Sequence, residues 1–269
     1  MFKRIIDSLQ RSLKSLFGNM VALGALTGSF VTMLLAMYPT LTFSVARVWQ
    51  VLFILLMFSL VVGLFFLIQA MGLLYVDEPT GASQFFKSAG SKFWKLLLVS
   101  LPFLILLALA VWGAEKIDST ITTGMREAAN SAGGYDKVMA VEKQIERIHS
   151  VVKYFNLFLV CLVLPLFLIQ LWNRVVTSGG RQALRNLGST ILASYRPSAI
   201  ITYLLGSILF FVVPYYLISM KLPIKAPWVE LFALGVRLTI AVMIAYFGWI
   251  VTVGAIRLQD KQTSGTGNV

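Results

Sequence analysis

The side chains that could carry out chemistry are few and scattered. The one histidine, His149, stands in a charged stretch with Ile145, Glu146, Val152 and Lys153 at helical spacing. A lone imidazole, with no HExxH pair and no cysteine cluster, supplies no zinc ligand set. A place on the surface of a helix accounts for it. The one cysteine, Cys161, falls inside an apolar run, so no intrachain disulfide and no CxxC pair can form. It reads as a small apolar packing residue. No acid occupies the centre of any apolar run, where a proton- or sodium-coupled carrier needs one. The sequence offers no catalytic set, no cofactor site and no metal ligands, and the expectation is a protein that is not an enzyme.

Two charges nonetheless sit inside apolar runs. Arg237 lies about two turns into the last run, with Glu230 seven residues earlier on the same helical face. A lone arginine at bilayer depth costs about 2.5–3.5 kcal/mol on insertion scales, so a partner is expected. That partner is Glu230 or Glu115 in an internal pair, or an anionic headgroup or substrate. Arg47, near the start of the second run, reaches the interface by snorkelling. Pro102, Pro165 and Pro214 fall within runs three, four and five. Proline there kinks a helix and can free carbonyls towards a cavity, or it is simply tolerated. Ser178-Gly179-Gly180 before Arg181 could hold a lipid phosphate at a helix start, without the lysine spacing of a phosphate-binding loop.

The chain that carries these residues is built for a membrane. Of its 269 residues 58% are hydrophobic and only 13% charged, with a mean hydropathy of +0.83. An average soluble domain carries about 25% charged residues. Six apolar runs, at about 21–37, 48–76, 93–113, 151–172, 199–220 and 228–256, have the length a helix needs to cross hydrocarbon. The short alternating segments of a β-barrel are missing. The expected fold is therefore all-α and polytopic, six transmembrane helices arranged as three hairpins. Residues 1–17 read as an interfacial amphipathic helix, 18–261 as the membrane domain and 262–269 as a disordered polar tail. Gly24 and Gly28 give span one a GxxxG spacing, expected to serve helix packing within the chain.

Between spans three and four, residues 114–150 carry a helical code of their own. Val138, Val141, Ile145, Ile148, Val152 and Phe155 recur at steps of three and four. Ile117, Ile121, Met125 and Ala128 make a weaker stripe, and Ser131-Ala132-Gly133-Gly134 between them suits a turn. Two membrane helices would thus continue out of the bilayer as an antiparallel helical hairpin. Its tip around Ser131 and Tyr135, with His149 on its flank, is the candidate surface for a protein partner.

On the opposite side, three basic, aromatic-bearing stretches each lead into a pair of spans: SLQRSLKSLFGNM, ASQFFKSAGSKFW and LRNLGSTILASYR. They read as a repeated pattern of interfacial helices. Lys3, Arg4, Arg11 and Lys14 on the first, with Arg181 and Arg185 before the third, are candidate contacts to anionic headgroups. The side holding both termini carries thirteen basic residues against four acids, the hairpin side ten against seven. The positive-inside rule then places both termini in the cytoplasm of a bacterial inner or plasma membrane. Basic residues clustered beside the spans account for the net charge of +12, so nucleic acid is not an expected partner.

This layout, with KFWKLLLVSLPFLILL as its most family-like phrase, resembles the six-span membrane domain attached to some bacterial glycerophosphodiester phosphodiesterases. Stand-alone six-span inner-membrane proteins of unassigned role look similar. The resemblance implies three hairpins with cytosolic interfacial helices. It carries no functional residue onto this sequence, and the long outer hairpin departs from it. The leading expectation is a non-enzymatic membrane protein acting through partner and lipid contacts, as an accessory, scaffold or complex subunit. The alternative is a lipid or small-molecule translocator using the cavity side of helices 3–6 with Arg237. Oligomeric state stays open.

Overall fold

A computed structural model describes residues 1–42, 47–77, 81–133, 135–220 and 227–265. Among them there is no strand, and six helices are long and apolar enough to cross a membrane. The protein is an all-α polytopic membrane protein. Its helices are α1 (Phe2–Gly18), α2 (Met20–Thr42), α3 (Val48–Leu74), α4 (Ala82–Ala132), α5 (Tyr135–Phe158), α6 (Leu164–Ser178), α7 (Gly180–Arg185), α8 (Leu187–Ser194), α9 (Pro197–Ser207), α10 (Val213–Ser219) and α11 (Pro227–Gly265). Spans one to three are α2, α3 and α4. Span four is α5 with α6, span five α9 with α10, and span six α11. Two compact units make up the chain, one of Met1–Leu97 with Ile169–Val269, the other of Leu98–Leu168.

The first unit is built around α11. Its most apolar window is 56% buried, against 11–33% in the other five spans. Glycines and small side chains bring its neighbours close. A Cβ on Gly206 of α9 would stand 2.1 Å from Thr252 Oγ1, and one on Gly254 would stand 2.1 Å from the Tyr75 hydroxyl. A Cβ on either Gly24 or Gly28 would meet nothing within 4 Å, so the GxxxG of span one does not serve packing within the chain. The sequence signal was right in type and placed on the wrong helix, because spacing alone does not say which face a span turns inward.

Spans four and five each contain one widened π turn, Leu159–Val163 and Ile208–Val212. Each lies just ahead of a proline, Pro165 and Pro214, two residues after the turn ends in both cases. Proline lacks an N–H and crowds the carbonyl four residues back. A turn that reaches five residues back shifts the ladder and relieves that clash. Pro102 sits inside the regular helix α4. Cys161 falls in the first π turn and is exposed, not packed in a core.

At the chain start, α1 has three faces where the sequence suggested two. Ile5, Ser8, Ser12 and Leu16 are buried against the unit. Phe2, Ile6, Leu13 and Phe17 form an exposed apolar face beside them, and Lys3, Arg4, Arg11 and Lys14 an exposed basic one. At 100° per residue these sets occupy successive thirds of the helix. The serine stripe is held by hydrogen bonds. Ser12 donates to the Val251 carbonyl at 2.7 Å and lies 2.6 Å from the Tyr75 hydroxyl, which also reaches the Ile250 carbonyl at 3.3 Å. Ser8 satisfies its own hydroxyl on Arg4 O. Asn19 then caps α2 through its side-chain oxygen on Ala22 N–H.

The three basic stretches thus take three shapes. The first is the separate helix α1. The second, Ala82–Phe93, is the opening of α4 and runs straight into span three, because no capping residue or proline interrupts it. The third is broken into α7 and α8 at Asn186. At the other end α11 continues to Gly265, so residues 262–265, expected in a disordered tail, are helical, and 266–269 lie outside the described residues.

The second unit is a helical hairpin of α4 and α5, with Gly133 in the turn at φ +62°. Gly134 and the Tyr135 side chain lie outside the described residues. The outgoing stripe packs through Ile145, which is buried. The incoming one is offset by one residue from the expected set. Thr122 and Ala129 are buried and Asp118 turns inward, while Ile117 and Ile121 are 62% and 46% exposed. Polar contacts explain the offset. Asp118 Oδ2 meets His149 Nδ1 at 2.5 Å, and Arg126 bonds Glu142 at 2.7 Å, fixing the antiparallel register. Thr122 returns its hydroxyl to Asp118 O at 2.8 Å, which lets it stay buried without needing a partner on α5.

Candidate functional site

Of the charges that the sequence singled out in the apolar runs, Arg237 finds backbone partners. Arg237 donates through Nε to Ala233 O at 3.3 Å and through Nη1 to Met220 O, the carbonyl at the end of α10. No ion pair with Glu230 forms, and Glu230 is exposed. The expected acid is replaced by the Met220 carbonyl, at the negative C-terminal end of α10, and by the Ala233 carbonyl one turn back on α11 itself. Arg47 is exposed at the start of α3, where its backbone N–H is capped by Gln50 Oε1 at 2.8 Å. Glu115 belongs to the hairpin unit and lines a recess there.

A polar cluster that the sequence had hidden, built on the buried Arg257 and Asn173, lies at the ends of spans two, four and six. Arg257 is only 3% exposed. Its Nε and Nη2 grip the two oxygens of Asp77 in bidentate fashion, and its Nη1 donates to Asn173 Oδ1 at 3.1 Å. Lys261 bonds Asp77 as well, and Asn173 donates to Asp260 Oδ2 at 2.6 Å. Gln259 ties the same end of α11 to Thr202 of α9 at 2.8 Å. In the sequence Asp77, Asn173, Arg257 and Lys261 all stand at or just past the ends of apolar runs, where loop and flanking residues are ordinary. The available signal was periodicity: Arg257 continues the inward stripe Ile250, Val253, Gly254 at helical spacing.

Beside α6 and α7 lies an open basic recess of about 1280 Å³. Its walls carry Lys95, Arg181 and Arg185, with Gln182, Asn186 and the Ser178–Gly180 turn, and no acid. Gly179 adopts φ +87°, a left-handed turn that lets α6 end and α7 begin at once. Arg181 and Arg185, four apart, share one side of α7 and are exposed, as is Lys95. Lys92 pins the start of α4 to Val176 O at 3.0 Å, and Arg174 holds α8 through Ser189. The recess can take an anion through charge and backbone N–H groups without any covalent chemistry. Lys3, Arg4, Arg11 and Lys14 add a second exposed basic face on α1.

Of the residues proposed for a partner surface, Ser131 bonds back to Glu127 O at 2.7 Å and His149 is engaged by Asp118. The sequence had given His149 no partner. Among the described residues no group of three or more His, Cys, Asp or Glu side chains could hold a metal ion. Comparison with known proteins finds no matching family model, no matching curated protein and no matching solved structure.

Proposed function

We propose that this is a non-enzymatic membrane protein that works through contacts, holding anionic lipid on the side of its termini and a protein partner through its hairpin. The termini would face the cytoplasm of a bacterial inner or plasma membrane. The observation that carries the lipid half is the acid-free recess of Lys95, Arg181 and Arg185. A cluster of cations beside a span attracts anionic headgroups at about 1 kcal/mol per residue. The exposed stripe Ile117 and Ile121 on the hairpin supports the partner half, because it is apolar and lies beyond the end of span three. The translocator reading has less support, since Nε and Nη1 of Arg237 are spent on carbonyls.

Replacing Arg181 and Arg185 together by Gln removes about 2 kcal/mol of attraction, roughly a thirtyfold loss. Native mass spectrometry from micelles doped with phosphatidylglycerol or phosphatidylcholine reads that loss directly. Equal retention of phosphatidylglycerol by parent and variant refutes the lipid half. Co-purification in mild detergent with and without residues 114–150 tests the partner half, and an unchanged set of partners refutes it. Reporter fusions at residues 80, 130, 185 and 265 test the orientation, which a cytoplasmic signal at 130 would overturn.

A further inference from the structure

The hairpin unit contains a recess of about 440 Å³ whose walls change character along the helix axis. At its polar end stand Glu115 and Asp118 of α4 with His149, Lys153 and Asn156 of α5; at its apolar end stand Leu157 and Val160. Lys153, Leu157 and Val160 follow one another at steps of four and three, so the apolar wall begins one turn below the lysine. Two oxygens of residues on this wall, Asp118 Oδ1 and Asn156 Oδ1, are closed off and accept no hydrogen bond among the described residues, so a ligand in the recess meets them once those side chains turn outward. Asp118 uses only its other oxygen, on His149. Buried acceptors without a donor are costly and rare, so two on one small recess point to a donor that comes from outside the chain.

The chemistry of that donor is constrained. It brings several N–H groups and a positive charge, because the unfilled acceptors include one carboxylate and Glu115 adds another. It carries a negative group for Lys153, and an apolar portion for Leu157 and Val160. A primary ammonium has three donors, matching Asp118, Asn156 and Glu115. We propose that the recess holds the headgroup of an aminophospholipid. The ammonium sits against Asp118, Asn156 and Glu115, the phosphate near Lys153, and the first carbons of a chain against Leu157 and Val160. Depth agrees with this: Glu115 follows the end of span three by two residues, and Leu157 lies one to two turns inside span four. Phosphatidylcholine has the same charges but no N–H to donate, so it leaves both acceptors unfilled. Phosphatidylglycerol lacks the cation. The site differs from the basic recess in residues and in lipid class, so either assignment can fail without the other.

The full-length protein in detergent micelles is titrated with short-chain phosphatidylethanolamine, its N-methyl and N,N-dimethyl derivatives and phosphatidylcholine, and bound lipid is counted by native mass spectrometry. Phosphatidylethanolamine is expected to bind about tenfold tighter than phosphatidylcholine, falling stepwise with each methyl. Asp118→Asn and Asn156→Leu should each shrink that preference at least threefold, whereas Lys153→Gln should weaken both lipids alike. Asn156→Leu leaves the Asp118–His149 contact in place, so its result does not depend on whether Asp118→Asn loosens the hairpin. Soluble glycerophosphoethanolamine should not compete. Equal binding of the two lipids, an undiminished preference in Asn156→Leu, or full competition by the soluble headgroup overturns the assignment.

Discussion

Asp77 and Asp118 are both carboxylates near the end of a membrane span, Asp77 facing two basic side chains and Asp118 one, and they differ in what is left over. Both oxygens of Asp77 are taken, by a bidentate Arg257 that is 3% exposed and by Lys261. Asp118 has one oxygen on a half-exposed His149 and one buried oxygen that accepts no hydrogen bond among the described residues. A polar cluster whose members satisfy one another is a fastener, and it gains nothing from a ligand. A cluster with acceptors to spare is incomplete by itself. The comparison separates a polar group that holds helices together from one that is poised to bind. It also predicts opposite responses to mutation.

The largest effect is expected at the closed cluster. Asp77→Leu leaves Arg257 buried without its counter-charge, which costs about 3–5 kcal/mol. Thermal unfolding in detergent should show a large drop in midpoint, or the variant should fail to accumulate. Replacing both partners, Asp77→Leu with Arg257→Leu, removes the stranded charge and should restore most of the loss. A wild-type midpoint for Asp77→Leu alone would erase the distinction between the two clusters. Next in size is Gly254→Ala in the same unit, whose new methyl would stand 2.1 Å from the Tyr75 hydroxyl and 2.7 Å from Ser12 Oγ. Overpacking of this kind costs about 1–3 kcal/mol. Adding Tyr75→Phe removes the nearest atom and should recover part of it. If Gly254→Ala is neutral, α1 is held less tightly than the Ser12–Tyr75 contact implies.

The two clusters also mark what the sequence could and could not reveal. Span number and approximate position were legible because a run of apolar residues long enough to cross hydrocarbon has few other readings. Facing was not, because it depends on which neighbour a helix meets. On α4 an apolar count favours Ile117 and Ile121 as the inner stripe, yet the Asp118–His149 and Arg126–Glu142 contacts and the back-bonded Thr122 rotate the helix by one residue. On α1 serines look polar, but each can satisfy its hydroxyl locally or on a facing backbone and so pack closely inside. Arg257 sits near the end of an apolar run, where flanking basic residues are common, so its type and place do not mark it as buried. The π turns were invisible apart from Pro165 and Pro214, since no residue type marks a widened turn. The GxxxG of span one illustrates the reverse error: small residues permit close approach and do not compel it.

The smaller effects test the open side of the comparison. Asp118→Asn removes a charge from a pair whose histidine is half exposed, and such pairs contribute at most about 1 kcal/mol. Its unfolding midpoint should therefore shift far less than that of Asp77→Leu, even though its lipid preference changes. A loss as large as that of Asp77→Leu would make Asp118 a fastener too, and its unfilled oxygen a by-product of packing. Arg126→Gln gives the baseline. Arg126 and Glu142 are 56% and 45% exposed and bridge the hairpin in solvent, where ordering two long side chains offsets most of their attraction. No measurable midpoint shift is expected, and no change in lipid binding. If Arg126→Gln instead alters lipid preference as much as Asp118→Asn does, the effect belongs to hairpin register as a whole, and the local argument from two unfilled acceptors fails.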